Sequence, residues 1–352
     1  MDSSERITAT LSGHKADRVP YQDAFWQTTV QRWHTEGLPA ATSPAAYFGC
    51  EMAGISGDYT LQLPVTTLAE TDRYRVYVDA DGATRRELRT ADGWTPHWLE
   101  FTIKGPEEWQ RYRDHAVYDA ARLTDRLSSQ YAQARGQGLF VVYRAHACFH
   151  PTWHKIGLER MLIALIEEPG WIEDMFALHT QLIIDLYEGC KQHGIRFDAA
   201  WLADDLGYRT APLISPAMYR QQIMPHHQRA CRHFAADGLR TMLHSDGDIR
   251  PLIPFFLEAG FSCLHPLEAK AGLDVGQLKA EYGSALTCFG NIDARRLAGS
   301  RAEVEEEVHR KLEAGMKDGG YIFHSDHSVP SSVSFDNYCH AMETLRKYGR
   351  YA

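Results

Sequence analysis

The chain has no run of the roughly 18 to 20 apolar residues that crossing a bilayer requires. Its opening stretch, MDSSERITATLSGHK, holds no apolar segment of the signal-peptide kind. A cytoplasmic protein without a membrane span is therefore expected. Cysteine is sparse and scattered: the seven residues at 50, 148, 190, 231, 263, 288 and 339 are odd in number and never spaced C-x-x-C. This argues against a disulfide framework or a cysteine-rich zinc module. Excess positive charge is lacking too. With a net charge of −9 and no basic stripe, neither nucleic acid nor an anionic membrane is an expected partner, which leaves a small molecule or another protein. No glycine-rich phosphate loop follows an early strand, which weakens the case for a doubly wound sheet.

What the sequence does contain is a core and an alternating pattern. At 352 residues, 44% hydrophobic and 24% charged, it can bury one α/β barrel with additions. PGWIEDMFALHTQLIIDLYEGCKQHG places Ile172, Met175, Phe176, Leu182, Ile183, Leu186 and Tyr187 on one helical stripe, with Pro169 near its start and Gly194 as terminator. The run 199–203 follows and ends on Asp204-Asp205, and a second helix, with Ser215 as cap, is expected to kink or break at Pro225. Strand and helix patterns then alternate through LRTMLHSDG, IRPLIPFFLEAG, FSCLHPLE, DVGQLKAEYG, ALTCFGNID, a helix with a Ser300/Glu303 capping box, and GYIFHSDHSVP. Such alternation means parallel strands joined by βαβ crossovers.

Each apolar strand ends on ionisable or amide residues: Asp204-Asp205, then His244 and Asp246, His265 and Glu268, Asn291 and Asp293, Asp326 and His327. In a (β/α)8 TIM barrel those ends converge on one mouth. Taken singly, such residues are as well explained as caps and turn formers; the recurrence along the series favours a shared pocket. The first third differs. YRVYVDADGATRRELRTADGWTPHWLEFTIKGP alternates around Asp81-Gly82 and Asp92-Gly93, so an antiparallel β insertion is expected at about 60–103 within one 1–352 barrel domain. Its Trp94, Trp98 and Phe101 can cover the mouth or meet a second copy. In YRAHACFHPTWHK, His146, His150 and His154 lie four apart, but Pro151 speaks against one continuous helix; only Arg144 stands out there as a substrate contact.

The ordered motifs ERITATLSGHKADRVPY, ADDLGYRTAPLISPAMYRQQIMPHHQ, LHSDGDIRPLIPFFLEAGFSCLHPLE, YGSALTCFGNID and GGYIFHSDHSVP through SFDNY resemble the uroporphyrinogen decarboxylase superfamily over nearly the whole chain. The resemblance implies a TIM barrel and, since members often pair through a face near the barrel mouth, a homodimer. It also implies one of two activities: cofactor-free decarboxylation of porphyrinogen acetates, or zinc-dependent methyl transfer to or from a corrinoid protein or a thiol. The porphyrinogen decarboxylases carry a Met-Arg-Gln-Ala-Gly-Arg stretch for substrate carboxylates; RVPYQDAFWQTTVQRW here has no such cluster, so a substrate with eight carboxylates is not expected. Thiol-methylating members bind zinc through His-x-Cys and a distant cysteine. Here the first pair reads His244-x-Asp246, and the last-strand position falls on His327. Methoxyl demethylases of the superfamily use Glu and His ligands, so the loss of cysteine is compatible with zinc.

His244, Asp246 and His327 form a two-imidazole, one-carboxylate set with positions open for water or substrate, and Glu268 can complete it or touch substrate. Such a hard set suits polarising an ether or hydroxyl oxygen. The plainer alternative has both histidines as hydrogen-bonded pocket residues with no metal. His324 and Asp326 fall behind this set or in the barrel wall. Of Asp204 and Asp205, only one can face the mouth of an extended strand; Asp205 is the expected general base, and Asp204 is the secondary substrate contact. Tyr208, Arg144 and Asn291 are further substrate candidates, and Asp293 is a helix cap. The expected protein is a demethylase or methyltransferase acting on a small molecule, assisted by zinc and passing methyl to a corrinoid protein. A metal-free decarboxylase of a small carboxylic acid, using Asp205 and Arg144, is the alternative. A non-catalytic ligand-binding module is a third reading, against which the dense ionisable mouth counts.

Overall fold

The computed structural model describes residues 1–89 and 96–351. The Asp92-Gly93 turn and Trp94 lie outside the described residues. The strands are β1 (Met52–Ile55), β2 (Thr66–Glu70), β3 (Tyr74–Val78), β4 (Ala83–Leu88), β5 (His97–Phe101), β6 (Phe140–His146), β7 (Ala199–Ala203), β8 (Arg240–His244), β9 (Phe261–His265), β10 (Thr287–Phe289) and β11 (Tyr321–Ile322). β1 and β6 to β11 form a seven-stranded parallel sheet in the order β1-β6-β7-β8-β9-β10-β11. Helices intervene between the strands from β6 to β11, as the alternating pattern predicts. The fold is thus mixed α/β and TIM-barrel-like. β2 to β5 form a separate antiparallel sheet between β1 and β6, within the predicted insertion, with Asp81-Gly82 turning β3 into β4 at a glycine φ of 80°.

An eighth regular strand, which a (β/α)8 count requires, is not assigned among the described residues. Instead the Pro20–Gln22 stretch spans the two edge strands. Phe323 N–H donates to Pro20 O (2.9 Å), Gln22 N–H to Phe323 O (3.1 Å), and Glu51 N–H to Tyr21 O (3.1 Å). Glu51 holds this stretch in place. Its carboxylate accepts from Tyr21 N–H at 2.8 Å and from Arg18 at 2.9 Å, and it also pairs with Arg6.

The long helix Pro169–Gln192 matches its sequence signal. Pro225 acts as expected: a π-turn at Tyr219–Ile223 breaks the helical run, and Met224–Ala236 restarts with the proline in its first turn. Two apolar layers result. One lies between sheet and helices. The other fills the interior enclosed by the sheet with Ile7, Leu11, Met52, Phe140, Val142, Ala199, Trp201, Met242, Cys263, Phe289 and Ile322. Strand side chains alternate, so the next inward residues after Val142, Met242, Cys263 and Ile322 are Arg144, His244, His265 and His324.

Replacing Glu51 with alanine leaves the Arg6 guanidinium, 7% exposed, without that partner in a buried site. The expected loss of stability is about 3 to 5 kcal/mol by urea denaturation; a loss under about 1 kcal/mol contradicts the clamp.

Candidate active site

Registry sets the mouth. β7 pairs with β8 so that Ala203 lies beside His244, and β8 pairs with β9 so that His244 lies beside His265. The loops beyond β7 and β8 are locked face to face. Asp248 N–H donates to Tyr208 O at 2.7 Å, and Ser245 Oγ accepts from Leu206 N–H at 3.0 Å. A Cβ on Gly207 would fall 2.3 Å from Asp246 O, and one on Gly247 2.5 Å from Gly207 C, so glycine at both positions is what lets Asp205 and Asp246 become neighbours.

Asp246 is the centre of the cluster. Its Oδ1 lies 3.6 Å from His244 Nε2 and its Oδ2 lies 3.4 Å from His327 Nε2. Ligand atoms of Asp205, His244 and Asp246 fall within 4.8 Å of one another, as do those of Asp246, Glu268 and His327. The expected set of His244, Asp246 and His327 therefore spans two overlapping groups that share Asp246. The Asp246 Oδ1 atom is buried with no hydrogen-bond partner, an expensive state for a carboxylate oxygen that a bound cation relieves. The donor set fits a divalent metal of zinc's kind. A third group, Cys148, Asp204 and His227, is different: it is fully buried, Asp204 is bound by His227 and by backbone N–H groups, and the other ring nitrogen of His227 meets the Tyr219 hydroxyl.

The hydrogen bond with Asp246 raises the His327 imidazole above its ordinary range, and Trp26 stacks on the same ring at 5.7 Å. Burial favours a neutral Asp205, yet the hydrogen bond from His150 and the proximity of His244 and His150 hold its carboxyl well below the usual range; His150 Nδ1 lies 2.9 Å away. Behind His244 runs a row of imidazoles. His244 Nδ1 meets His265 Nδ1 at 2.7 Å, and His265 Nε2 meets His324 Nε2 at 3.2 Å. His324 Nε2 in turn lies 3.5 Å from Asp23 Oδ1. Burial, together with the neighbouring imidazoles and Arg144, pushes His265 well down, and burial also lowers His324.

Three cavities meet here. The largest, about 800 Å³, is lined by Asp205, His244, Asp246 and His327 below and by Trp26, Trp98 and Trp153 above. A neighbouring cavity of about 480 Å³ takes Asp246, Glu268, Tyr208 and Lys270. An inner one of about 140 Å³ takes Arg144, Trp201, His244, His265 and His324. Trp98, stacked on Phe101 at 5.7 Å, lines the largest of the three.

Other candidates go elsewhere. Asp204, fully buried, accepts from Phe149 N–H (3.2 Å), His150 N–H (2.6 Å) and His227 Nε2 (2.8 Å), so it caps the helix Phe149–Ile156. Asn291 borders none of these cavities. Positive φ at Gly290 and Asn291 swings it out of register, and its amide binds Leu267 O, Leu273 O and Val275 N–H. Asp293 caps the next helix through Arg295 N–H. Glu268 is bound by Gly247 N–H and Lys270, and Tyr208 is 66% exposed at the rim.

Sequence reasoning discounted the His146, His150 and His154 series, and the structure brings it together. Ring centroids lie 4.5 Å apart for His146 and His150, and 4.2 Å for His150 and His154. As expected, no continuous helix carries all three, since His146 ends β6 and a separate helix, Phe149–Ile156, follows; Pro151 is the third residue of that helix, where no N–H is required, and burial pushes His146 and His154 down. The four-residue spacing was the available signal.

Fold and mouth together define a TIM-barrel-like α/β protein with an ionisable site at the strand ends, the usual place for chemistry in such folds. The chain belongs to the uroporphyrinogen decarboxylase family: the family model described as Uroporphyrinogen decarboxylase (URO-D) matches residues 154–348. A uroporphyrinogen decarboxylase of Pelobacter propionicus is 23% identical over 146 residues, a match spanning 39% of each chain. A solved methyltransferase from Methanosarcina mazei superposes over 99% of both chains with a TM-score of 0.67 at 16% identity, a likeness of fold.

An Asp204→Asn exchange points an amide N–H at N–H donors. The expected cost is about 2 to 3 kcal/mol in chemical denaturation; a change below about 0.5 kcal/mol contradicts the capping role.

Proposed function

We propose that this protein is a metal-assisted methyltransferase that demethylates a small molecule and passes the methyl group to a separate corrinoid protein. The observation that carries this reading is the Asp246 carboxylate, set between the His244 and His327 imidazoles with its Oδ1 unpartnered, on the wall of an 800 Å³ aromatic cavity. His244, Asp246 and His327 would hold zinc, with Glu268 adjacent. Bound there, zinc supplies a Lewis acid for an ether or hydroxyl oxygen. His265 fixes the His244 ring through Nδ1, as partners behind metal ligands commonly do, and Trp26 fixes His327. Asp205, oriented by His150, serves as base or as acceptor for a substrate hydroxyl. Trp26, Trp98 and Trp153 keep water from the substrate body. The substrate C–O bond would break with its electron pair left on oxygen, which takes up a proton, and the methyl group would pass as a cation equivalent to a reduced corrinoid on the partner, whose cobalt(I) would supply the electron pair of the new bond.

The accompanying reading is a single 1–352 domain in which Pro20–Gln22 supplies the eighth stave of a (β/α)8 barrel. We further propose a homodimer in the cytoplasm. One observation favours a second function: Arg144 has no carboxylate partner among the described residues, which suits a metal-free decarboxylase of a small acid with Asp205.

Metal analysis after anaerobic purification with zinc tests the choice. Wild type is expected to hold about one zinc per chain, His244→Ala and His327→Ala to lose it, and His324→Ala to keep it. Wild type is also expected to form methylcobalamin from cob(I)alamin and a methyl donor. A metal-free wild type that releases CO2 from a carboxylic acid overturns this proposal in favour of the second.

A further inference from the structure

The inner cavity is lined by one arginine, Arg144, and one carboxylate, Asp23, and the two are not paired with each other. Arg144 projects inward from β6, and its guanidinium lies 4.1 Å above the Trp201 ring. Its stem crosses β1 where a Cβ on Gly54 would fall 2.6 Å from Arg144 Cγ, so the glycine is what admits it. Burial lowers the guanidinium from its ordinary value. Among the described residues it makes no ion pair and no side-chain hydrogen bond. The carboxylates nearby face other groups: Asp23 meets Ser325, Tyr338 and His324, Asp205 meets His150, and Asp246 faces His327 through Oδ2 while its Oδ1 is the unpartnered atom assigned to the metal. The remaining walls of the 140 Å³ space are mainly Trp201 and the imidazoles of His244, His265, His324 and His327. Stacking on Trp201 offsets only part of the cost of removing a guanidinium from water.

We infer that Arg144 is the seat for a single substrate carboxylate, held in the inner cavity while the rest of the molecule occupies the tryptophan-lined one. The inference rests on the proposed small-molecule site and names its substrate class: a small monocarboxylate with a planar apolar body. The planar guanidinium fork matches a carboxylate through two parallel N–H bonds. Arg85, the other arginine on the walls of these two cavities, is already paired with Asp79, so the unpaired Arg144 takes one anionic group. Arg144, His244 and His327 line both cavities, so a molecule seated on Arg144 extends directly past His244 and Asp246. The three tryptophans then face its body.

The test uses full-length protein stripped with EDTA, so that no metal can take the carboxylate. Calorimetric titration compares acetate, benzoate and para-methoxybenzoate with the three corresponding carboxamides. Wild type is expected to bind at least one acid about tenfold or more tighter than its amide. Arg144→Met, which keeps length and loses charge, is expected to abolish that preference, keep the wild-type zinc content on reloading, and melt no lower than wild type. Arg144→Lys, which keeps charge but loses the fork, is expected to retain only part of the preference. The inference is overturned if no acid is preferred to its amide, if the preference survives in Arg144→Met, or if Arg144→Lys binds acids as wild type does. Loss of the zinc reading would leave this preference intact, so the two failures are separable.

Discussion

The interior enclosed by the parallel sheet is filled with apolar side chains up to the level of Trp201, Met242 and Cys263, and that filling dictates everything above it. Strand alternation allows an inward side chain only at every second residue. Wherever the apolar filling stops, the next inward position must therefore be polar and must share its neighbours with the other strands at the same height. Arg144, His244, His265 and His324 are those positions. A packed floor beneath them removes water from one side, so their charges and hydrogen bonds are felt strongly. The His-Ser-Asp tripeptide occurs twice because two strands reach this level with the same alternation.

The two copies then serve different ends. In the first, His244 faces the large cavity, Ser245 pins Leu206 N–H, and Asp246 is left between two imidazoles. In the second, His324 closes the imidazole row, Ser325 binds Asp23, and Asp326 accepts from Ala294 N–H. His327, one residue further on, completes the cluster. Asp246 depends on this arrangement more than any other group, since the approach of Gly207 to its backbone and the rings on both sides leave Oδ1 buried without a donor.

Much of this was legible in the sequence, for physical reasons. The helix Pro169–Gln192 was visible because its apolar stripe repeats at helical spacing, and the strand ends were visible because polar residues interrupt apolar runs at the same point each time. Pro225 was read correctly because a proline beyond a helix's first turn must disrupt it. The reading that no continuous helix carries His146, His150 and His154 also holds, since His146 ends β6 and the other two stand on Phe149–Ile156; what local pattern did not show is that the strand end and the helix bring the three rings together. Asn291 was legible as a strand end but not in its direction, because two successive positive φ angles turned it outward. The pairing of Asp23 with His324 joins residues about 300 positions apart, and no local pattern carries it. The roof of Trp26, Trp98 and Trp153 comes from three separate segments for the same reason.

The central claim is that Asp246, His244 and His327 share one metal ion. X-ray absorption at the zinc edge on the reconstituted protein tests it most directly, because the scattering distances and the ligand elements are read together. The account predicts two imidazoles and carboxylate or water oxygen at roughly 2.0 to 2.2 Å, with no sulfur. A sulfur shell near 2.3 Å, which would require one of the buried cysteines, or a shell lacking imidazole altogether, would contradict it.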